Sequence, residues 1–467
     1  MVKANFFIIV VVVLGVSACS SQLNLIKREQ NAAQTPEAWR QAVAKEVRSV
    51  EGNWLQQLQQ PQVFELVDKA LVNNQSLLQQ AYEVEIKQQQ LKAEGASLWP
   101  SLDLSASSGR NRNNRPVSYS NSNSVSLEAA YEIDLWGKLS ASKREASLNY
   151  LVQKSLYEQA RQQLVADVVS AWFNVITQQK LLALFEQRAT LAERNVEIIE
   201  SGYRQGLNEA LDVYLTRNEL NNERSRIAAQ KAEYLQSVRI LERLLGDYPS
   251  AELVVSAELP LLKQSIPLGL PSELITRKPS LLASWYQLLA SDAALAYAHK
   301  QRFPSLRLTA SLGDSSQDFD DLFSPSSLAW SLLGGVTMPL FQGGRLKANE
   351  TAAEFVVKRE EQRYLQQLYD AFGDVENAIT QEQALMSRYQ TTIKAEENAQ
   401  AAEQLAFEQY QNGLVSYTTV LDAQNRSFEA QSSVIEIKNQ LIGNRIALHI
   451  ALGGDFAAPE NDNEKPL

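Results

Sequence analysis

Few side chains in this 467-residue chain are of types that perform covalent or metal chemistry, and their spacing does not bring them together. The one cysteine is Cys19, and the two histidines, His299 and His449, stand far apart and outside any metal-ligand spacing. The pair Gly343-Gly344 lacks the rest of a phosphate-binding loop and instead predicts a bend between two elements. We therefore predict that the chain is not an enzyme and that it has no catalytic residue and no metal site.

Cys19 follows a segment with the features of a secretory signal peptide. Lys3 precedes an apolar run, Phe6–Val16, that is too short to span a bilayer as a stable helix. The ending Val16-Ser17-Ala18-Cys19 is similar to a bacterial lipobox, and this similarity implies cleavage before Cys19 and acylation of its thiol and new amino group. An ordinary signal peptide with a chance cysteine is the alternative. Ser20 stands where an aspartate would mark retention at the inner membrane, so we expect the outer membrane.

Composition and charge narrow the class of protein. Hydrophobic residues make up 45% of the chain and charged residues 21%, which indicates neither a disordered chain nor a polytopic helical membrane protein. The net charge of -10 argues against nucleic acid as a partner, because phosphate binding needs a basic surface. The acidic excess is compatible with a solvated acidic surface or with a lumen that favours cations.

The chain is internally duplicated, since its two halves match in the same order at an offset of just over two hundred residues. Each half is expected to form one structural unit. In each, the hydrophobic period changes from helical to alternating and back to helical. The matched anchors are Ser76-Leu77-Leu78 with Ser280-Leu281-Leu282, Trp99–Leu102 with Phe303–Leu306, Gly137-Lys138-Leu139 with Gly344-Arg345-Leu346, Tyr203–Leu207 with Tyr410–Leu414, and Leu245-Gly246 with Leu452-Gly453.

Alternating apolar and polar residues predict one β-hairpin in each half, over 101–134 and 305–338. One face of these strands is apolar and the other is polar, as in a membrane barrel with lipid outside and water inside. Two polar connectors, Gly109–Asn123 and Gly313–Ser327, are interpreted as long loops at the ends of the hairpins. Two soluble hairpins packed on a helical body are the alternative.

Each half then predicts a long helical hairpin, over 138–245 and 345–452. Its first helix runs for about 65 residues without proline, which at about 1.5 Å per residue is roughly 100 Å. Apolar residues recur at intervals of three and four, as in Val165, Val168 and Trp172, and predict a coiled-coil seam. Gly206 and Gly413 are predicted to supply the left-handed residue that a tight reversal needs.

The four strands predicted for each chain limit how many chains a closed barrel would need. Four strands cannot close a membrane barrel, because the smallest types use about eight. Two copies would supply roughly eight strands and three roughly twelve, and about eight strands leave an interior filled by side chains. Three copies are therefore favoured if the protein conducts.

The chain resembles the TolC-type outer-membrane efflux proteins, in particular their lipoprotein subgroup, over nearly all of its mature sequence. The resemblance rests on the duplication, on Pro100 and Pro304 before the strands, on Tyr131–Gly137 and Met338–Gly344, and most specifically on Gly413–Ala423. It implies a mixed α/β membrane protein. The internally duplicated protomer would give four strands to a trimeric twelve-stranded barrel and long helices to an α-helical coiled-coil tunnel.

The function that the resemblance implies is that of the outer-membrane channel of a tripartite efflux pump, which passively conducts small toxic compounds from periplasm to exterior. The duct of a protein-secretion system and a lipid-anchored periplasmic coiled-coil scaffold remain as alternatives. The implied partners are two further copies, a periplasmic adaptor, an inner-membrane pump and outer-membrane lipid, and no cofactor is expected besides the covalent lipid. The resemblance places the adaptor on the turns of the two helical hairpins, here called the hairpin tips: Arg204, Gly206, Leu207, Gly413, Leu414, Val415 and Ser416.

The predicted organisation follows from these patterns. A signal peptide (1–18) and a lipid-anchored linker (19–62) precede a first repeat over 63–249. An inter-repeat linker (250–269) leads to a second repeat over 270–453, and a polar tail occupies 454–467.

Overall fold

The computed structural model describes residues 35–40, 60–255, 257–261, 268–322 and 328–454. The predicted signal peptide, Cys19, most of the predicted lipid-anchored linker and nearly all of the predicted tail lie outside these residues. The described elements, in chain order, are α1 (Pro61–Asn73), α2 (Gln75–Ala96), β1 (Ser101–Asn114), β2 (Val117–Ile133), α3 (Lys138–Arg204), α4 (Ala210–Leu244), α5 (Pro271–Arg277), α6 (Pro279–Lys300), β3 (Ser305–Ser316), a short 3-10 turn (Phe319–Asp321), β4 (Ala329–Thr337), α7 (Arg345–Gln411) and α8 (Tyr417–Ala451).

The described chain divides into two compact units. The strand unit contains Lys87–Tyr150 and Trp285–Arg363, and therefore holds the four strands and the helix ends that lead into them. The helical unit contains the described residues within 34–86, 151–284 and 364–467, and therefore holds most of both helical hairpins.

The strand unit is built on one antiparallel sheet in which the strands follow in chain order, β1-β2-β3-β4. Its register places apolar residues directly opposite one another, as in the row Leu104, Leu127, Leu312 and Trp330. One face is therefore apolar across all four strands in this part of the sheet, up to Asp314, which lies opposite Val125. The residues of this face are Leu102, Leu104, Ala106, Val125, Leu127, Ala129, Tyr131, Ile133, Leu306, Leu308, Ala310, Leu312, Trp330, Leu332 and Val336.

The opposite face of the sheet carries hydroxyl and charged side chains. Serine hydroxyls pair across the strands at 2.7–2.8 Å, in Ser105–Ser126, Ser107–Ser124 and Ser311–Ser331. The acidic residues Asp103 and Glu128 are direct cross-strand partners on this polar face. A sheet with one apolar and one polar face separates an apolar from an aqueous medium.

The loop predicted over Gly109–Asn123 is wrong. Strand β1 continues to Asn114 and β2 begins at Val117, so only a tight turn separates them. The error has a physical cause, because serine- and asparagine-rich strands pair through their backbones without any apolar alternation that would indicate a strand. The second predicted loop, Gly313–Ser327, is shortened in the same way, since β3 continues to Ser316.

In the helical unit the predicted seams are buried. The seam residues Val165, Val168 and Trp172 of α3 belong to a core that α1, α4 and α8 also enter. Their counterparts in α7, Phe372, Val375 and Ile379, are buried as well. Both long helices, α3 and α7, contain 67 residues. Within the described chain, every helix lacks either the length or the apolar run that crossing a lipid bilayer requires.

Candidate functional site: the hairpin tips

The first hairpin tip, between α3 and α4, is closed by its own backbone. Gly206 adopts a φ of +75°, in the left-handed region. Its N–H donates to the carbonyl oxygen of Tyr203 at 3.0 Å, and the N–H of Leu207 donates to that of Gly202 at 2.9 Å. These two bonds form a Schellman motif, which satisfies carbonyls that would otherwise be unpaired at the helix end.

The second tip, between α7 and α8, repeats this geometry. Gly413 has a φ of +70°, and its N–H donates to the carbonyl oxygen of Tyr410 at 2.9 Å. The N–H of Leu414 donates to the carbonyl oxygen of Gln409, also at 2.9 Å. The reversals predicted at the two glycines are therefore confirmed. A Cβ built at Gly206 or Gly413 would meet no atom within 4 Å, so the backbone conformation alone requires glycine there.

The leucine that follows each glycine has an exposed side chain. Leu207 is 76% exposed and Leu414 is 72% exposed. In a Schellman motif the residue at this position usually packs on an apolar residue five positions earlier in the chain. Gly202 and Gln409 stand there instead, and neither offers an apolar surface. Each tip therefore presents a leucine to solvent at the same structural position.

The remaining predicted residues of the tips border these leucines. Arg204 is exposed and pairs with Glu200, whose pKa is lowered mainly by a hydrogen bond from Arg217. Val415 is half-buried, and Ser416 is exposed at the start of α8. The Ser416 hydroxyl lies within hydrogen-bond distance of the Thr418 hydroxyl, at 2.6 Å. The structure thus gathers the predicted residues at the two turns.

Behind the turns, the two tips are joined to each other. The phenol of Tyr410 donates a hydrogen bond to Asp212 Oδ2 at 3.1 Å, and its ring lies 5.3 Å from the ring of Tyr417. Tyr417 is buried in a small core with Ile199 and Val213 of the first hairpin. Burial and the neighbouring carboxylate of Asp212 both raise the pKa of Tyr410, so its phenol stays protonated and remains a donor.

A second junction joins the hairpins farther from the turns. Arg188 of α3 is paired with Glu219 at 2.7 Å and with Glu223 at 2.8 Å, both on α4. The same guanidinium binds Asn425 and lies 4.6 Å from the ring centroid of Phe428, both on α8. Burial raises the pKa of Glu223 in spite of the arginine. Removing one member of such a buried charge cluster leaves another charge uncompensated.

Sequence reasoning did not identify these two junctions. The available signal was asymmetry between the repeats, because Tyr417 corresponds to Ala210 and Asp212 corresponds to Thr419 under the duplication. Tyr417 and Asp212 thus differ from their counterparts at positions where one hairpin contacts the other. Tyr410 itself matches Tyr203 under the duplication, so its place in the junction follows from its partner Asp212 and not from its own residue type.

Two features define the class of protein to which this chain belongs. One is a four-stranded sheet with an apolar and a polar face, and the other is a pair of long helical hairpins. The chain belongs to the outer membrane efflux protein family, which matches residues 66–247 and 270–454. It is 30% identical to the solvent efflux pump outer membrane protein SrpC of Pseudomonas putida, over 86% of this chain and 87% of SrpC. It is 28% identical to the probable outer membrane lipoprotein SilC of Salmonella typhimurium, over 85% of this chain and 86% of SilC.

Among solved structures, a membrane protein from Pseudomonas aeruginosa matches with a TM-score of 0.84 and 28% identity. The match covers 91% of this chain and 99% of the other. These similarities confirm the predicted fold class, the assignment to the TolC-type efflux proteins and the location in the outer membrane. The tip residues as a docking site, and Cys19 as an acylation site, stay predictions.

Proposed function

We propose that three copies of this chain form a duct through which small toxic compounds pass passively to the exterior. The main support for this proposal comes from the two faces and the unpaired edges of the sheet. In the part of the sheet below Asp314 its register makes one face apolar and the other mostly polar. Both edge strands, β1 and β4, have one side without a neighbour in the described chain. Unpaired backbone groups in lipid cost several kcal/mol each, so the sheet is stable in a membrane only when copies close a ring.

Three copies supply roughly twelve strands, enough to leave an open lumen, whereas two supply roughly eight and fill it with side chains. The polar face, with its serine pairs and the acidic partners Asp103 and Glu128, would line that lumen. Cross-linking of the detergent-extracted protein should therefore stop at a trimer. A stable monomer with full β content would contradict this assembly.

The hairpin tips are proposed to dock a periplasmic adaptor, which links the duct to an inner-membrane pump that supplies the energy. Leu207 and Leu414 support this role, because two apolar side chains are exposed at matching positions where the local motif gives them no contact. The glycines are required by the turns whether or not the tips dock anything. The leucines therefore distinguish docking from simple chain reversal.

The substrate class is proposed from the relatives and from the chemistry of the duct. SrpC is named as the outer membrane protein of a solvent efflux pump. A lumen lined by hydroxyls and scattered charges offers no selective pocket, so the duct would pass whatever its pump delivers. Deleting the gene should lower resistance to organic solvents, and expression of the chain should restore it. Resistance that does not change on deletion would contradict the proposal and favour a scaffold.

A lipid on Cys19 is the remaining part of the proposal. The lipobox at Val16–Cys19 and the lipoprotein name of SilC support it. Cys19→Ser should abolish labelling with radioactive palmitate, while efflux should fall less, because the barrel also holds the protein in the membrane. Equal labelling of the variant and the native protein would overturn this assignment.

A further inference from the structure

The two β-hairpins of the strand unit end in segments of opposite charge. The end of the first hairpin, here called the arginine turn, carries Arg110, Arg112 and Arg115, all exposed. The segment after β3, here called the acidic loop, carries Asp318, Asp320 and Asp321, also exposed. Both segments lie at the end of the sheet that is farther from the helices.

These opposite charges do not meet within one copy. Strand β2 lies between β1 and β3, and its upper part, Val117–Ser124, has no charged side chain. In the described part of the chain, no carboxylate lies within ion-pair distance of Arg110 or Arg112. Their guanidinium groups instead lie 5.0 Å and 5.8 Å from the ring centroid of Tyr119. The arginines are therefore carried by the free edge of the sheet.

The stagger of the sheet indicates what that edge would meet. Direct cross-strand partners run from Ser101 at the start of β1, through Ala130 and Thr309, to Leu333 in the middle of β4. Counted from the strand ends Ser101, Ile133, Ser305 and Thr337, this row rises by four residues in total across the sheet. The same shift in register, extended by one more strand, reaches β1 of a neighbouring copy. Ala329, the first residue of β4, then lies opposite roughly residue 110 of that β1. The acidic loop precedes Ala329 and would lie beside the arginine turn of that neighbour.

We infer that the arginine turn of each copy pairs with the acidic loop of the next, so that basic and acidic segments alternate around the mouth of the duct. This inference rests on the proposed trimer. It adds the residues that determine which edges of neighbouring subunits meet. The contact is between different surfaces of identical chains, as in any ring built from head-to-tail interfaces. Complementary charge favours the correct neighbour and disfavours the meeting of two like edges.

Engineered disulfides test the contact directly. Arg112→Cys combined with Asp320→Cys should give disulfide-linked dimers and trimers on a non-reducing gel, whereas each single cysteine variant should give almost none. A bond within one chain would leave the product at monomer mobility. Trimers by native mass measurement with only intrachain bonds, or with no bonds, would overturn the inference while the proposed trimer stands. Native protein that is not a trimer would overturn both.

Charge reversal supplies a second readout that does not depend on cysteine geometry. Arg110→Glu with Arg112→Glu should lower the temperature at which the trimer dissociates in detergent, and so should Asp318→Lys with Asp320→Lys. Combining all four substitutions should recover most of the loss, because the charges are then exchanged and again complementary. Two losses that simply add would contradict the pairing. An unchanged trimer that loses co-purified lipopolysaccharide would also contradict it and would assign the arginines to lipid phosphates.

Discussion

At the scale of single residues, buried ionisable groups determine how stability depends on pH. His449 lies in the last turn of α8 and is almost fully buried. Burial, together with the charge of nearby Arg445, lowers its pKa to about 4, from an ordinary value near 6.5. In the folded protein the imidazole therefore stays neutral at pH values where the unfolded chain would already be protonated.

The sign of the effect follows from this difference in pKa. Above about pH 6.5 both states are neutral, and as the pH falls toward about 4 only the unfolded state gains the proton. Stability should fall over this window by up to about 3 kcal/mol, since each pKa unit corresponds to about 1.4 kcal/mol. Thermal unfolding in detergent should show this loss for the native chain, and a flatter profile over the same window for His449→Gln. An identical slope in the variant would show that other groups cause the pH dependence.

Some single residues of the tips were predictable from the sequence and others were not. Gly206 and Gly413 were predictable, because a left-handed residue between two long helical patterns has few chemical alternatives to glycine. The bond from Tyr410 to Asp212 was not predictable, because neither residue has an unusual local pattern and the two are 198 positions apart in the chain. Contacts between repeats depend on how the hairpins pack, and that packing has no local signal.

For whole helices and strands, the hydrophobic period predicted the elements that have one buried or apolar face. The coiled-coil seams and the apolar halves of the strands alternate with a regular period, and both were placed correctly. The polar half of the first β-hairpin, Gly109–Asn123, was mistaken for a loop, because its strands pair through their backbones, as Asn111 does with Ser120, and not through apolar contact. An element that is wet on both faces has no hydrophobic period by which a sequence could reveal it.

The hairpin tips supply the prediction at this scale. Leu207→Glu and Leu414→Glu should leave the yield and stability of the trimer nearly unchanged, because exposed substitutions cost about 0.5 kcal/mol or less. Drug resistance and cross-linking to the adaptor should nevertheless fall to the level of a deletion strain, since a charge would replace the apolar contact. Val254→Glu is a matched control, because Val254 is 81% exposed in the helical unit but lies far from the tips in sequence. Wild-type resistance in both leucine variants would mean that the tips are only turns.

At the scale of the whole molecule, charge predicts the ion preference of the duct. The chain carries a net charge of -10, and Asp103 and Glu128 oppose each other on the polar face. Like charges placed directly opposite destabilise a sheet, so three such pairs around a lumen would attract cations to relieve the repulsion. Reversal potentials measured in a salt gradient should show cation preference, reduced by Asp103→Asn with Glu128→Gln. Anion preference in the native protein would refute this.

The sheet of one chain is an incomplete wall, and we expect it to become a duct only when further copies close it. Single-channel recording of the purified protein in planar bilayers tests this claim most directly. We expect discrete conductance steps from the trimeric fraction and none from dissociated monomer. A pure, folded trimer that inserts into the bilayer and passes no current would contradict this expectation.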